Sequence, residues 1–324
     1  MSSGTESSAK VYNIQNSTNL VAVFMMILSS IFGLIFNLAI VYVFASEKKQ
    51  RTSFNLICVF RSVNNSIALI VPFLTVYVPI AVIGSSFYPN WLESLLLCIS
   101  LNIFVMNEFQ SIYISLNRFT AIFLPLRYQK ICSIKVTVIV NCLIVADRIR
   151  NIAFETYQRI QSDSYILFSP EHLTYSLTSI ELSGSNMIIV VSAIFCVALA
   201  ANIATFLRIT VFYLKQRTSR DEQKWRKVKS NMKLFIQTVL QDALFLLDTV
   251  FTFQLSGIMT NRFWTFICDS FVWQTIHVMD GFIMLMFNER LSLLKKSVFP
   301  SVLATPAEPT KQMFTVTGGH AYVV

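Results

Sequence analysis

Charged, glycine and proline residues are scarce in this sequence, and their scarcity excludes most soluble folds. Only 13% of the 324 residues are charged, whereas about a quarter are charged in a typical soluble protein. Eight Gly and eight Pro are too few for a barrel of many strands and turns. The hydrophobic fraction is instead 54%. Since a helix needs roughly 20 apolar residues to cross a bilayer, the sequence predicts an all-α, polytopic membrane protein.

Metal binding, catalysis and nucleic-acid binding lack the residues that they require. The six cysteines are widely spread without a CxxC pair, and only three histidines are present, so neither a metal nor another cofactor is expected. His277 and Asp280 have the spacing of an acid–base pair, but no nucleophile lies near them in the sequence, so no enzyme is predicted. The net charge of +9 is explained by the basic cytoplasmic side of a membrane protein, without nucleic acid as a partner.

Seven apolar runs are long enough to be read as membrane-spanning helices. They predict a seven-helix domain over 20–287, an N-terminal tail over 1–19 and a C-terminal tail over 288–324. The short connections between most of the runs are typical of antiparallel neighbours in a bundle. The runs lie near 20–44, 54–80, 91–116, 134–153, 186–214, 233–256 and 263–287.

The fourth run is the weakest of the seven. Only about 11 apolar residues, which rise about 16 Å as a helix, precede the charged residues Asp147, Arg148 and Arg150. That rise is about half of a bilayer. One interpretation is that Asp147 and Arg150 pair at i, i+3, so that the helix continues through Phe154. The other is that residues are missing from the sequence here, or that the gene is degenerating.

Basic residues are distributed unevenly between the two sides of the predicted bundle. About 19 Lys and Arg residues fall after the first, third and fifth runs and in the C-terminal tail, against about 5 in the other connections. This asymmetry places the N-terminus outside. The connection after the fifth run is the most basic and is a candidate contact for anionic membrane lipids, a cytoplasmic partner protein or both. The sequon at Asn16 then predicts glycosylation. No cleavable signal peptide is expected, and the first run is expected to direct membrane insertion.

Five stretches carry a resemblance to one receptor family. Each stretch alone is only suggestive of the family, whereas the third and fifth stretches together are specific for it. They are "FGLIFNLAIVYVF", "SFNLICVFRSVNNSI", "SLNRFTAIFLPLRY", "FIQTVLQDALFLLDTVFTFQLS" and "FVWQTIHVMDGFIMLMFNERL". Over about residues 25–296, the chain resembles the nematode serpentine chemoreceptors of the Srx family, which are rhodopsin-like seven-transmembrane G-protein-coupled receptors.

The resemblance implies a chemosensory receptor in the plasma membrane, in particular the ciliary membrane of sensory neurons. It implies a small-molecule chemical cue as the ligand and a heterotrimeric G protein as the partner. Arg118 stands at the arginine of the Asp-Arg-Tyr region, and its long side chain is expected to reach water at the inner membrane boundary. Asn117 replaces the acid that restrains this arginine in many such receptors, so we expect a weaker restraint and appreciable basal activity.

Polar residues inside the predicted spans are candidates for a ligand pocket or for contacts between helices. For Asn37 and Asp280, which lie deeper toward the inner side, we favour a structural or switch role. For Glu108 and His277 both interpretations stay open. The complete set of predicted ligand-binding residues is Glu108, Asp248, Asp269, Trp273 and His277.

Two alternatives to a signalling receptor follow from the same residues. A seven-span ligand-gated channel or transporter would also use acidic residues inside the membrane, although the chain has no internal repeat and no ring of like charges. A non-signalling remnant of the family is the other alternative, and the short fourth run is its only support.

Two further features concern the outer and terminal segments. The segment 148–185 has no cysteine, so the disulfide that joins it to the third helix in many such receptors is absent. Cys98 and Cys268 are the remaining candidates for a bridge near the outer face, and whether they pair is left open. The C-terminal "AYVV" is compatible with strand addition to a PDZ domain.

Overall fold

Seven long helical segments make up most of the chain in the computed structural model, which describes residues 17–48, 51–177, 184–216, 222–259 and 261–287. Four of them, α1, α2, α3 and α7, are each long and apolar enough to cross a membrane. With the family match reported below, this confirms the predicted helical, polytopic membrane protein. The segments are α1 (Ser17–Ser46), α2 (Ser53–Ile83), α3 (Asn90–Phe123), α4 (Ile134–Gln161), α5 (Gly184–Gln216), α6 (Glu222–Val250, followed by a π-helical turn Phe251–Leu255) and α7 (Arg262–Phe287).

The fourth helix is complete despite its short apolar run. It begins after Ser133, whose hydroxyl accepts a hydrogen bond from the Val136 amide, and it continues to Gln161, beyond the predicted end. Asp147 accepts from Arg150 at 2.7 Å, three residues along the helix, and also pairs with Arg148. The predicted i, i+3 pair is therefore confirmed. The helix is therefore continuous through the charged residues, as the first interpretation predicts, although α4 is not among the four helices apolar enough to cross a membrane.

Both α2 and α7 contain a π-helical stretch in the half that leads to the predicted outer ends. In α2 it spans Leu69–Tyr77 and contains Pro72, which has no backbone N–H to donate. In α7 it spans Phe266–Phe271 and carries Asp269. Such wide turns occur often at functional sites because they change the direction of the side chains that follow.

A β-hairpin between α4 and α5 is the one feature of the described residues that departs from an all-helical fold. Its strands β1 (Ile166–Ser169) and β2 (Thr174–Leu177) pair antiparallel. Hydrogen bonds attach it to the bundle: the Phe168 amide donates to Glu93 on α3 at 2.6 Å, and the Ser270 hydroxyl on α7 donates to the Leu173 carbonyl at 2.7 Å. The Phe168 ring also stacks on Tyr77, with centroids 4.3 Å apart.

All six cysteines lie in described residues, and all are free thiols. Cys98 and Cys268 are both buried, and the bridge that the sequence left open between them is not formed. The hairpin is therefore held by hydrogen bonds and aromatic packing rather than by a covalent link.

Two glycines allow α1 and α7 to pack closely, as small residues do between membrane helices. A Cβ added at Gly33 would lie 2.5 Å from the Leu69 side chain and 2.8 Å from that of Val278. A Cβ added at Gly281 would lie 2.6 Å from the Nδ2 atom of Asn37. Neither position has room for a methyl group unless its neighbours move.

We expect Gly281→Ala to lower the free energy of unfolding by about 1–3 kcal/mol, since the added methyl group displaces Asn37 from its hydrogen bonds. Thermal unfolding of the purified chain measures the loss. Gly257→Ala is the matched control, because a Cβ there would meet no atom within 4 Å, and its effect should stay within about 0.5 kcal/mol. Equal melting temperatures for the two variants would contradict a close α1–α7 contact at Gly281.

Candidate functional site

An ion pair between Arg61 of α2 and Asp280 of α7 lies in the centre of the bundle. The Nε atom of Arg61 donates to Oδ2 of Asp280 at 2.7 Å, and the two side chains are 0% and 1% exposed. A charge removed from water is strongly disfavoured unless a partner neutralises it. Each of these residues is therefore required by the other in this conformation.

The Asp280 carboxylate also accepts hydrogen bonds from two uncharged amides on other helices. Asn65 of α2 donates to Oδ2 and Gln241 of α6 donates to Oδ1, both at 2.7 Å. Asn65 donates in addition to Asn37 of α1 at 3.3 Å. We call Arg61, Asp280, Asn65, Asn37 and Gln241 the central cluster. Its carboxylate joins α2, α6 and α7, and Asn65 extends the cluster to α1.

The polar contacts extend from the central cluster into α3 and α4. Nη1 of Arg61 donates to the Ser111 hydroxyl at 2.7 Å, and Asn107 donates to Asn65 at 2.8 Å. Further along, Gln110 of α3 donates to Asn141 of α4 at 3.1 Å. A displacement of any one of these helices would therefore break hydrogen bonds made by the others.

Asn37, which the sequence favoured as a structural or switch residue, holds α1 against α7. Its Nδ2 atom donates to the Gly33 carbonyl at 2.8 Å and to the His277 carbonyl at 3.2 Å. The structure thus brings Asn37 and Asp280 together through Asn65, as neighbours in one polar network.

His277 and Glu108, for which both interpretations were open, lie beside the central cluster. Nδ1 of His277 is 2.9 Å from Oδ1 of Asn65. Glu108 is buried and interacts electrostatically with the Arg61 cation and the Asp242 carboxylate. Oε1 of Glu108 and Nε2 of His277 have no hydrogen-bond partner within the described part of the chain.

At the inner end of α3, Arg118 is buried instead of reaching water. It is 8% exposed, and its Cζ atom lies 3.4 Å from the centroid of the Phe54 ring on α2. Its Nε and Nη2 atoms have no hydrogen-bond partner in residues 17–48, 51–177, 184–216, 222–259 and 261–287. The prediction that this side chain reaches water at the membrane boundary is therefore wrong for this conformation. The guanidinium packs on the face of an aromatic ring, which attracts a cation.

Asn117 does not restrain Arg118 but links α3 to two other segments. Its Nδ2 atom donates to the Ser53 hydroxyl of α2 at 3.0 Å, and its Oδ1 atom accepts from the Tyr128 hydroxyl at 3.3 Å. Ser53 in turn bonds to Thr137 of α4 at 2.7 Å. In this conformation Arg118 contacts the Phe54 ring, while Asn117 holds α2, α3 and the following connection together.

The other three predicted ligand-binding residues lie toward the outer ends of α6 and α7. Asp248 of α6 is close enough to Asp269 of α7 for the two carboxylates to interact electrostatically. Trp273 follows one turn after Asp269, and its ring lies edge-on to Tyr175 of β2, with centroids 6.0 Å apart. We call Asp248, Asp269, Trp273 and Tyr175 the outer site.

Tyr175 is electrostatically coupled to both carboxylates of the outer site. Burial raises the pKa of its phenol to about 12, and Asp269 and Asp248 act in the same direction because they disfavour a third negative charge. The phenol is therefore neutral at physiological pH and can act as a hydrogen-bond donor beside the two acids.

Sequence reasoning missed two residues that organise these sites. Arg61 lies within an otherwise apolar run, and a charged residue in such a run is itself a signal of a buried partner. Tyr175 gave no comparable signal, because it lies in a short polar strand far from α6 and α7 in the sequence. Asn16, residues 1–16 of the predicted N-terminal tail, the predicted C-terminal tail and the "AYVV" terminus lie outside the described residues, and the expectations for them stay predictions. Residues 17–19, which were assigned to the N-terminal tail, form the first turn of α1.

The sequence also matches a known protein family. A family model described as "Serpentine type 7TM GPCR chemoreceptor Srx" matches residues 27–288. The matched range contains the central cluster, Arg118 and the outer site, and it covers most of the chain. No curated protein matches the sequence. The family predicted from the five sequence stretches is confirmed.

Proposed function

Because the chain belongs to the Srx family of serpentine seven-transmembrane chemoreceptors, we propose that it binds a small-molecule chemical cue and activates a heterotrimeric G protein. The cue would bind among the outer halves of the helices, where the outer site lies. The G protein would bind at the inner end, near Arg118. The two sites are separate, so binding at one has to change the stability of a conformation that the other recognises.

The state of Arg118 is the observation that carries this proposal. Its guanidinium is 8% exposed and stacked on Phe54, with unsatisfied N–H groups and no carboxylate paired with it among the described residues. A buried cation without a counter-charge is costly, and a ring face compensates only in part. The side chain is therefore poised to leave Phe54 when an acceptor is offered, as a docking peptide would offer.

The central cluster provides the connection between the two ends. It joins α2, α6 and α7 through Asp280, and it extends to α1 through Asn65 and into α3 through Ser111. Networks of this kind have discrete arrangements, because a carboxylate shared by several donors cannot keep all of them when one helix moves. A cue that binds better to one arrangement shifts the population toward it.

We infer further that the chain is a multi-pass protein of the plasma membrane, with its N-terminus outside. The support is the excess of Lys and Arg in the connections after the first, third and fifth spans, as the positive-inside rule requires. In this orientation Arg118 lies on the cytoplasmic side and the hairpin and outer site face the exterior.

The test is reconstitution of the full chain in lipid vesicles with a purified heterotrimeric G protein. We expect nucleotide exchange above that of empty vesicles, since Asn117 supplies no carboxylate to restrain Arg118, and a further rise with a subset of a panel of volatile and water-soluble compounds. Current recording on the same vesicles without G protein is the comparison. A compound-gated current together with absent exchange would favour the channel alternative instead.

A further inference from the structure

The outer site holds two carboxylates with no cation assigned to them. Asp248 and Asp269 come from different helices, α6 and α7, and interact electrostatically. Asp248 accepts a hydrogen bond from the Thr252 side chain and Asp269 accepts one from that of Thr174. Among the described residues, neither carboxylate forms an ion pair with a basic side chain. Two like charges held together in a bundle repel each other, and either a proton on one carboxyl or a cation between them relieves that repulsion.

The basic residue nearest to Asp269 in the sequence is directed elsewhere. Arg262 begins α7, and its guanidinium donates to the Asn19 side chain and to the Pro170 carbonyl. Its role is to join α1, α7 and the loop of the hairpin. Among the described residues no ion pair joins Arg262 to Asp248 or Asp269, and a cationic ligand could supply a positive charge between the two carboxylates.

Two buried polar groups at the outer site are also unsatisfied. Oδ1 of Asp248 and Nε1 of Trp273 have no hydrogen-bond partner in the described residues, and the two side chains are only 8% and 5% exposed. An acceptor and a donor left unpaired in this way each cost free energy. They are complementary to a molecule that carries both an N–H donor and an oxygen acceptor.

Aromatic rings form the other walls of the site. The Trp273 ring lies edge-on to Tyr175 and also to Phe73 of α2, with centroids 6.0 and 5.9 Å apart. Aromatic faces attract organic cations, and desolvation strengthens the attraction. A metal ion fits poorly here, because no cluster of three or more His, Cys, Asp or Glu side chains suited to a metal occurs in the described residues.

We propose that the outer site binds a small organic ammonium ion, with its charge between Asp248 and Asp269 and its apolar part against Trp273 and Tyr175. An oxygen on the same ligand accepts from Nε1 of Trp273. This deepens the proposed function, on which it rests, by giving the chemical class of the cue. The order of preference is a cationic amine over a neutral alcohol, and a neutral alcohol over a carboxylate.

Three probes that share a phenyl ring and a benzylic hydroxyl test this order: phenylethanolamine, phenylethanediol and mandelate. They differ only in a positive, neutral or negative terminal group. We expect phenylethanolamine at millimolar concentration to raise the melting temperature of the purified full chain, because a ligand that binds only the folded state stabilises it. The diol should have a much smaller effect and mandelate none.

Two isosteric variants assign the effect to the carboxylates. Asp248→Asn and Asp269→Asn should each weaken phenylethanolamine binding about ten- to a hundredfold, as expected for loss of one charge-assisted contact. Asp163→Asn removes the same charge from an exposed loop residue and should leave binding unchanged. The unliganded melting temperature of each variant shows that it is folded. Trp273→Phe keeps an aromatic ring but removes the indole N–H donor. Phenylethanolamine and its deoxy analogue phenylethylamine should then bind this variant with similar affinities.

Equal stabilisation by the diol or mandelate would overturn the proposal, as would no stabilisation by the amine, or an effect of the amine that survives both Asn variants. Because this assay contains no G protein, its outcome is independent of the proposed signalling function. Amine binding without nucleotide exchange would support the amine site and contradict the proposed signalling function. Nucleotide exchange driven only by neutral or acidic compounds would support the signalling function and contradict the amine site.

Discussion

The Asp280→Ala chain is expected to lose about 3–5 kcal/mol of stability, the cost of leaving a buried charge without its partner. Arg61 is fully buried and would lose the one carboxylate that forms an ion pair with it among the described residues, leaving only the weaker electrostatic interactions with Glu108 and Asp242. The loss should appear as a large fall in melting temperature and in the amount of chain at the cell surface. The amides of Asn65 and Gln241 would lose their common acceptor as well.

A double variant separates this loss from a general effect of mutating the centre of the bundle. Arg61→Met combined with Asp280→Asn removes both charges and keeps similar side-chain volumes. The double variant should recover much of the stability that Arg61→Met or Asp280→Asn loses alone. The coupling free energy between the two positions is the measured quantity. Single losses that simply add in the double variant would show that the ion pair does not carry the effect.

The Arg118→Ala chain is expected to keep its surface level and its affinity for a cue while G-protein activation falls about tenfold or more. The fall corresponds to the loss of at least one charge-assisted contact with the docking partner. Stability should change little, because Arg118 has no carboxylate partner in this conformation and leaves no buried charge behind. Nucleotide exchange measured beside cue binding on the same vesicles gives both quantities.

Two controls define the role of the guanidinium. Arg118→Lys keeps the positive charge but loses the planar fork of donors, so activation should recover only in part. Arg150→Ala removes an arginine that is 75% exposed on α4 and should leave exchange at the level of the unchanged chain. Full cue-driven exchange by Arg118→Ala would instead reduce Arg118 to an anchor at the membrane boundary.

The helices were predictable from the sequence because each depends on a local property, a run of apolar residues. Even α4 could be anticipated, since Asp147 and Arg150 lie one turn apart on the same helix. The hairpin could not, because its strands are only four residues long and are fixed by Glu93, about 75 residues earlier in the chain.

The candidate sites were predicted only in part, for a related reason. Asp280, Asp269 and Trp273 are unusual inside an apolar run, so composition marks them. Their partners are set by the packing of distant segments: Arg61 lies 219 positions from Asp280, and no periodicity within one helix reports that pairing. The distribution of basic residues between the two membrane sides also gives no signal for Arg61, because this residue lies inside a span and belongs to neither side.

No disulfide attaches the outer hairpin to the bundle, and this affects both the redox sensitivity of the protein and the rearrangement of its outer face. All six thiols are free, so the attachment is insensitive to redox conditions, and the fold needs no oxidising compartment or disulfide isomerase. Opening the hairpin requires its hydrogen bonds and ring contacts to separate and the buried side chains of Ile166, Phe168 and Leu173 to leave the core, but no covalent bond to break. If the outer site binds a ligand as proposed, reversible detachment of this one small structural unit is a route for ligand exchange.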